Sequence, residues 1–592
     1  MSTDPATAPV ATADPVGEPV CAGGGAASRR GRRQATGLVL AVLAALPAVL
    51  GVLSLIPGWD EPYVPMTDQA LFELTVHDVG RHQVLLGPYS RFGWNHPGPM
   101  AAYLLAVPYR LLGEAHQALT VGTLVVAGIS SVAVVLVVRR RAGLLAGVWT
   151  LLVLSVTVRM LDAEFLRDPW NPYLPVLPLL AGVFLCWTAV RGDAWALPLA
   201  VLPMSLAVQS HVGFLPPVAA VGAVTAGGLI VRALRRRRGA PDADEPPERR
   251  PSRWLVASLS SVVVAGVVWF PPIAQQLTGS PGNAGALLDY LREGPANPSV
   301  STSDAVRAIA DEFGKLPAYA GGSGASGWPL IPALWPMWAI VVGLSLCVAA
   351  LVGGVLRRRP DVLWLGALTL AVAAAGFAAI TRIEGAPFPY VTQWTVVIGI
   401  LAWTTVGLGL LPELVTALRR PAGRISPRLR SDVVVGLPVA VLAVVATLVT
   451  AVGTARAETP RTDLTGELVR LQEVVATDLD RLGLRADPEP PVVRVDFAPS
   501  TREDFLGTLV PGAGLVLELV RDGIDVQLAD QWRDEFGSRY TDHADDPAYA
   551  VTLAFADGTS PPPEPWQAVL AVEGELAVYG GVPPDGWSGA GS

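Results

Sequence analysis

The chain has 592 residues, of which 51% are hydrophobic and only 16% charged, and its mean hydropathy is +0.44. One soluble core does not need so much apolar surface, so part of the solvent around this chain is lipid. The formal net charge of -8 averages unlike compartments, because the arginines sit in short runs and the acids lie mostly elsewhere; it leaves no nucleic-acid footprint.

Residues 1–34 read as a disordered cytoplasmic tail that ends in arginines. The apolar run at 36–56 follows; it lacks a small-residue cleavage motif and reads as a retained signal anchor. Arginine clusters at 29–33, 139–141, 235–238 with 249–253, 357–359 and 419–430 mark the cytoplasmic side, because translocating them is disfavoured. If all of them face the cytoplasm, the number of spans between consecutive clusters is even. About eleven spans meet that condition, each near the ~20 residues that cross a ~30 Å hydrocarbon layer. They fall at 36–56, 117–138, 143–159, 173–190, 195–210, 213–233, 254–270, 334–356, 361–380, 391–411 and 433–453. The stretch at 98–113 is too short to join them and reads as an amphipathic helix on the outer membrane surface.

The fold class expected is therefore a polytopic α-helical membrane protein with a C-terminal extracytoplasmic α/β domain. The membrane domain covers 35–453, with outer loops at 57–116 and 271–333 and a Pro-rich, charged cytoplasmic linker at 234–253. From 454 to 592 the pattern changes. Helical spacing at 464–482 and 504–521 alternates with strand patterns at 492–497, 549–558 and 567–581. This region carries no Cys/His metal spacing, no nucleophile elbow and no phosphate loop. Lysine occurs once, at Lys315, beside 60 Gly and 53 Pro, a bias that points to a GC-rich, actinobacterial genome. Cys21, Cys186 and Cys347 provide neither a disulfide framework nor a metal cluster.

The first outer loop carries the chemical signal. Asp68 stands just before an amphipathic helical stretch at 70–79; an aromatic turn then ends in His96, Pro97, Gly98 and Pro99, and a second surface helix ends at Leu112 and Gly113. This order resembles the GT-C superfamily of membrane glycosyltransferases, in the branch of the protein O-mannosyltransferases and lipid A aminoarabinose transferases. The resemblance covers about 36–240; Gly98 between the prolines and Gln69 beside the acid depart from the pattern of that branch.

The resemblance implies transfer of a sugar from a polyprenyl-phosphate donor to a hydroxyl of a cell-envelope glycan, lipid or protein, at the outer face of the plasma membrane. It implies Asp68 as the general base, accepting the hydroxyl proton. The leaving lipid phosphate needs cations or helix ends around it, and Arg91, Arg159, Arg167 and Arg382 are the candidates. His96 and the acids Asp162 and Glu164 of the second outer loop, with Arg167, are candidate substrate-binding residues. Each has a plainer reading. Asp68 also suits the first turn of a helix, where the helix dipole stabilises an acid; His96 suits a turn, and 162–168 suits a solvated connector. Trp and Tyr near span ends, among them Trp94, Trp170, Trp335, Tyr390 and Trp394, read by default as an interfacial belt. No metal or other cofactor is expected. Two other readings stay open: a transporter or flippase of lipid-linked intermediates, and a non-catalytic membrane scaffold. The apolar spans hold few charges and the polar residues gather on one side, which favours surface chemistry over transport.

Overall fold

The structure, a computed structural model, describes residues 23–90, 92–161, 164–238, 250–279, 282–293, 299–322, 334–385, 387–422, 431–458, 464–486, 491–499, 507–542, 546–560, 564–585 and 587. Arg91 and Asp162 lie outside the described residues, as do positions 1–22 of the tail and 239–249 of the linker.

Apolar runs form helices here because lipid offers no partner to a free backbone N–H or C=O, so each segment must satisfy its own. Among the described residues, eight helices are long and apolar enough to cross a membrane: α1 (Gly23–Leu53), α4 (Gln117–Ala142), α8 (Leu215–Arg237), α9 (Arg250–Thr278), α12 (Met337–Leu356), α13 (Pro360–Ile380), α15 (Val396–Ala422) and α16 (Ser431–Arg456). Three shorter apolar helices, α5 (Leu144–Met160), α6 (Val176–Val190) and α7 (Ala196–Ser210), occupy the remaining expected spans. At ~1.5 Å per residue they are short for a ~30 Å core, and their enclosure by neighbours explains why shortness is tolerated. Helix α15 is the most buried of the long ones and α9 the least. Leu255, Leu259, Val262, Val263 and Val267 of α9 are exposed, as side chains facing lipid should be.

Close packing depends on small residues at contact points. Trp149 of α5 donates its indole N–H to the carbonyl of Trp403 on α15 at 2.7 Å, and a Cβ added at Gly407 would collide with that indole. At one end of the bundle Arg141 and Arg191 share the Asp361 carboxylate, at 3.3 and 2.6 Å. Arg357 and Arg359 there meet Glu413, at 2.6 and 2.9 Å, and Arg139 reaches the Thr36 hydroxyl at 2.8 Å. The clusters at 139–141 and 357–359 thus lie at the same end as the start of α1.

The other end carries the loops. Helix α2 (Thr67–Asp78), the short antiparallel pair β1 (Tyr89–Ser90) and β2 (Trp94–Asn95), and α3 (Met100–Leu111) come from the first loop; α10 (Asn283–Glu293), α11 (Thr302–Ala320) and the single turn α14 (Pro389–Thr392) come later. Helix α3 buries Ala101, Ala102, Leu105, Ala106 and Tyr109 and leaves Val107 and Leu111 exposed, the two-sided apolar character of a helix resting at an interface.

Helix α2 departs from expectation. It is no surface helix: Gln69 to Leu74 and Val76 to Asp78 are all buried. Its apolar positions divide between two cores: Phe72 and Val76 pack with Ala101, Leu105 and Tyr109 of α3, and Ala70, Leu71 and Leu74 with the C-terminal domain, which consists of α17 (Thr465–Arg481), α18 (Leu509–Arg521) and strands β3 (Val492–Phe497), β4 (Asp525–Gln527), β5 (Tyr549–Phe555), β6 (Ala568–Glu573) and β7 (Leu576–Gly581). The sheet order is β4-β3-β5-β7-β6, parallel from β4 to β5 and antiparallel from β5 to β6. The stretch at 567–581 divides into two strands at Gly574, whose φ of 56° makes the turn. Val64, Met66, Ala70, Leu71 and Leu74 belong to the same core as Leu468, Leu515, Leu519 and Val551. Gly514 permits the close approach, since a Cβ there would stand 2.8 Å from the Pro65 carbonyl oxygen.

Candidate functional site

The chain enters α2 through a left-handed residue that is not glycine, Thr67, with φ of 49°. For a β-branched side chain this is an outlier that costs of order 1–3 kcal/mol and marks functional sites when it persists. The next residue is Asp68, in the first turn, where the helix dipole favours a carboxylate. It is half-buried, and its Oδ2 accepts the indole N–H of Trp170 at 2.9 Å.

Trp170 comes from the second outer loop, which is fastened to α2 at a further point. Asp168 is buried and accepts the Trp170 backbone N–H at 2.9 Å, while the Gln69 amide lies 3.4 Å from both of its carboxylate oxygens. Gln69, where the resembling branch carries a second acid in some members, is thus the group that docks this loop. The Trp170 ring packs at 4.8 Å on Tyr390 of α14 and edge-on at 5.2 Å against Tyr173; Tyr390 in turn stacks on Phe388 at 5.8 Å. A carboxylate thereby stands beside a cluster of aromatic rings at the loop-bearing end of the bundle.

A second group surrounds His96. Its Nδ1 accepts the Val212 N–H at 3.2 Å, and its ring lies 4.5 Å from that of His211, whose own Nδ1 accepts the Gly213 N–H at 3.1 Å. Burial pushes the His211 imidazole down to about 4. Burial, and then the neighbouring His211, hold His96 well below its ordinary value, so both rings are neutral at neutral pH. Aromatic contacts extend the group through Trp94 at 5.4 Å from His96 and Phe214 at 6.0 Å from His211, and from Phe214 to Trp394 at 6.1 Å. Both groups end on the segment 388–395.

The remaining sequence candidates are placed differently. Glu164 is half-buried and its carbonyl closes a turn by accepting the N–H groups of Arg167 and Asp168. Arg167 is 4% exposed and donates to the Ser54 hydroxyl and to the carbonyls of Thr454 and Ala457, tying together the loop-bearing ends of α1 and α16. Arg382 is exposed just beyond α13. Among the described residues no group of three or more His, Cys, Asp or Glu is close enough to hold a metal ion.

Sequence reasoning passed over Trp170, Tyr390 and Trp394 as belt residues. Trp94, Trp335 and Trp394 are 6%, 5% and 3% exposed, so these three lie inside the protein rather than at a lipid interface. The available signal is their position in loops flanked by prolines.

No family model matches the chain, and no curated protein does. Solved structures do. One is ArnT from Cupriavidus metallidurans bound to undecaprenyl phosphate, with a TM-score of 0.47 and 16% identity over 92% of this chain and 98% of that one. The same protein in the apo state gives 0.45 and 15% over the same shares. The oligosaccharyltransferase of Archaeoglobus fulgidus in the apo form gives 0.39 and 15% over 82% of this chain and 63% of that one.

Proposed function

We propose that this protein is a GT-C type membrane glycosyltransferase that moves a sugar from a polyprenyl-phosphate donor to a hydroxyl of a cell-envelope glycan, lipid or protein. The observation that carries the reading is Asp68. A carboxylate follows directly on a strained residue, is oriented by an indole N–H from another loop, and stands beside aromatic rings where the outward loops converge. In the reaction, the acceptor oxygen attacks the anomeric carbon as Asp68 takes its proton, and the bond from that carbon to the phosphate oxygen breaks with the electron pair leaving on the lipid phosphate.

The faces of the aromatic cluster suit a sugar ring. Arg167 is already committed to three oxygen acceptors, which leaves Arg159 and Arg382, both exposed, among the described candidates; we assign Arg382 to the leaving phosphate, with Arg91 as a candidate outside the described residues. His96 is neutral and buried, and we assign it to holding the loop over α7 and α8 through Val212. Orientation follows from the arginine clusters: the N-terminus and the end holding Asp361 face the cytoplasm of a plasma-membrane protein, and the C-terminal domain lies outside.

The test is transfer by the protein reconstituted in nanodiscs, with radiolabelled polyprenyl-phosphate sugars and an envelope extract. Label is expected in the acceptor fraction, and Arg382→Ala is expected to raise the donor KM several-fold. Absence of transfer from every donor, with the protein folded, contradicts the reading.

A further inference from the structure

The C-terminal domain does more than cover the outer end of the bundle. Glu73 lies on α2, five residues beyond Asp68, and its side chain is 1% exposed. Its Oε1 is 2.7 Å from His116 Nδ1 and accepts from the Arg521 guanidinium at 2.7 Å. His116 stands at the start of α4; its Nε2 is 3.0 Å from Glu518, and Arg521 is also 3.4 Å from Glu518 and 3.2 Å from the Tyr109 hydroxyl of α3. Tyr63 closes the group edge-on to His116 at 5.6 Å. Glu518 and Arg521 both belong to α18, so two carboxylates, an imidazolium and a guanidinium from three helices form one charge-balanced cluster. Burial disfavours the His116 cation, but Glu73 and Glu518 more than offset it and raise the imidazole to about 9. Glu73, also penalised by burial, is held below its ordinary value by His116 and Arg521.

We propose that Arg521 is a positioning residue for Asp68: through Glu73 it fixes the register of α2 between α18 and α4, so the C-terminal domain is a working part of the transfer site. The apolar contacts of Ala70, Leu71 and Leu74 hold α2 against the domain, but such contacts tolerate sliding. A buried ionic cluster is satisfied in one register only, and specifying register is its best-attested use. Asp68 and Glu73 share one short helix, so a shift at Glu73 is a shift at Asp68. A displacement of ~1 Å at a reacting group lowers a rate about 100-fold.

This inference rests on the proposed function, and two readouts separate them. In full-length protein, Arg521→Met is expected to lower kcat at least about tenfold with the donor KM within about twofold, and Arg521→Lys to recover most of it. A second variant, Glu73→Gln with Arg521→Gln, keeps the cluster neutral through His116 and Glu518 and guards against misfolding; it is expected to lower kcat likewise. Hydrogen exchange of the amides at 67–78 is expected to accelerate in Arg521→Met and in the double variant. Unchanged exchange, or a fall in activity that merely tracks the folded fraction, overturns the positioning role. Faster exchange in a protein whose wild type transfers no sugar keeps the coupling and removes the glycosyltransferase reading.

Discussion

At the scale of single residues, the protein concentrates unusual features around one acid. Thr67 holds a backbone conformation that glycine adopts freely, so Thr67→Gly is expected to leave the melting temperature unchanged or raised. Elsewhere near a helix the same change costs about 0.5–1 kcal/mol. A fall of that size would show that Thr67 is unstrained. Trp170→Phe removes the indole donor to Asp68 Oδ2 while keeping an aromatic ring against Tyr390; transfer is expected to drop about tenfold with the fold intact, because an oriented group contributes more than a loose one. The two histidine groups set opposite pH limits. An unfolded histidine takes up its proton near 6.5, whereas His211 in the fold waits until about 4, so its contribution to stability is complete above about 6.5 and drains away as pH falls toward 4. His116 runs the other way: its contribution is complete below about 6.5 and is lost as pH rises through about 9. Thermal melts in detergent should therefore decline on both sides of neutrality. His211→Gln should flatten the acid limb and His116→Gln the alkaline one, and unaltered limbs would contradict these assignments.

At the scale of elements, the spans were legible because a charge-free run of about 20 residues has few other uses, and the even-parity condition on the arginine clusters rejected the stretch at 98–113. Strands β3, β5, β6 and β7 were legible from alternation, whereas β4, with three residues at Asp525–Gln527, was too short to show a period. Helix α2 was misread as a surface helix for a physical reason. Its polar residues Gln69, Glu73, His77 and Asp78 look solvated in the sequence, yet Asp168, His116 with Arg521, Glu114 and Arg539 meet them in the fold. Partners tens to hundreds of residues away leave no local pattern. The bundle interior makes a simpler prediction: Gly407→Leu should drive α15 off Trp149 and destabilise by about 1–3 kcal/mol, the usual cost of overpacking, read as a lower melting temperature in detergent.

At the scale of the whole molecule, the sequence boundary near 454 separates two regions that share a core. Val64, Met66, Ala70, Leu71 and Leu74 contribute to the packing of the C-terminal domain, so that domain is completed by a helix encoded near the other end of the chain. The division of labour follows: the bundle provides a lipid-facing frame, the loops at one of its ends bring Asp68 and its aromatic neighbours together, and the C-terminal domain holds the helix that bears Asp68. The candidate site is legible in the sequence only in part. Asp68 and His96 stand out through a loop order that resembles a known superfamily, but nothing local in the sequence joins Asp68 to Trp170, or His96 to His211.

The measurement closest to the central claim compares wild type with Asp68→Asn in nanodiscs, supplied with polyprenyl-phosphate sugar and envelope acceptor, after melting curves have shown both to be folded. Transfer by the wild type and a loss of at least about 100-fold in the variant is predicted, in line with removal of a general base. Equal transfer by both proteins would contradict the account, because some other group would then take the proton from the acceptor, leaving the indole-bound carboxylate without a part in the reaction.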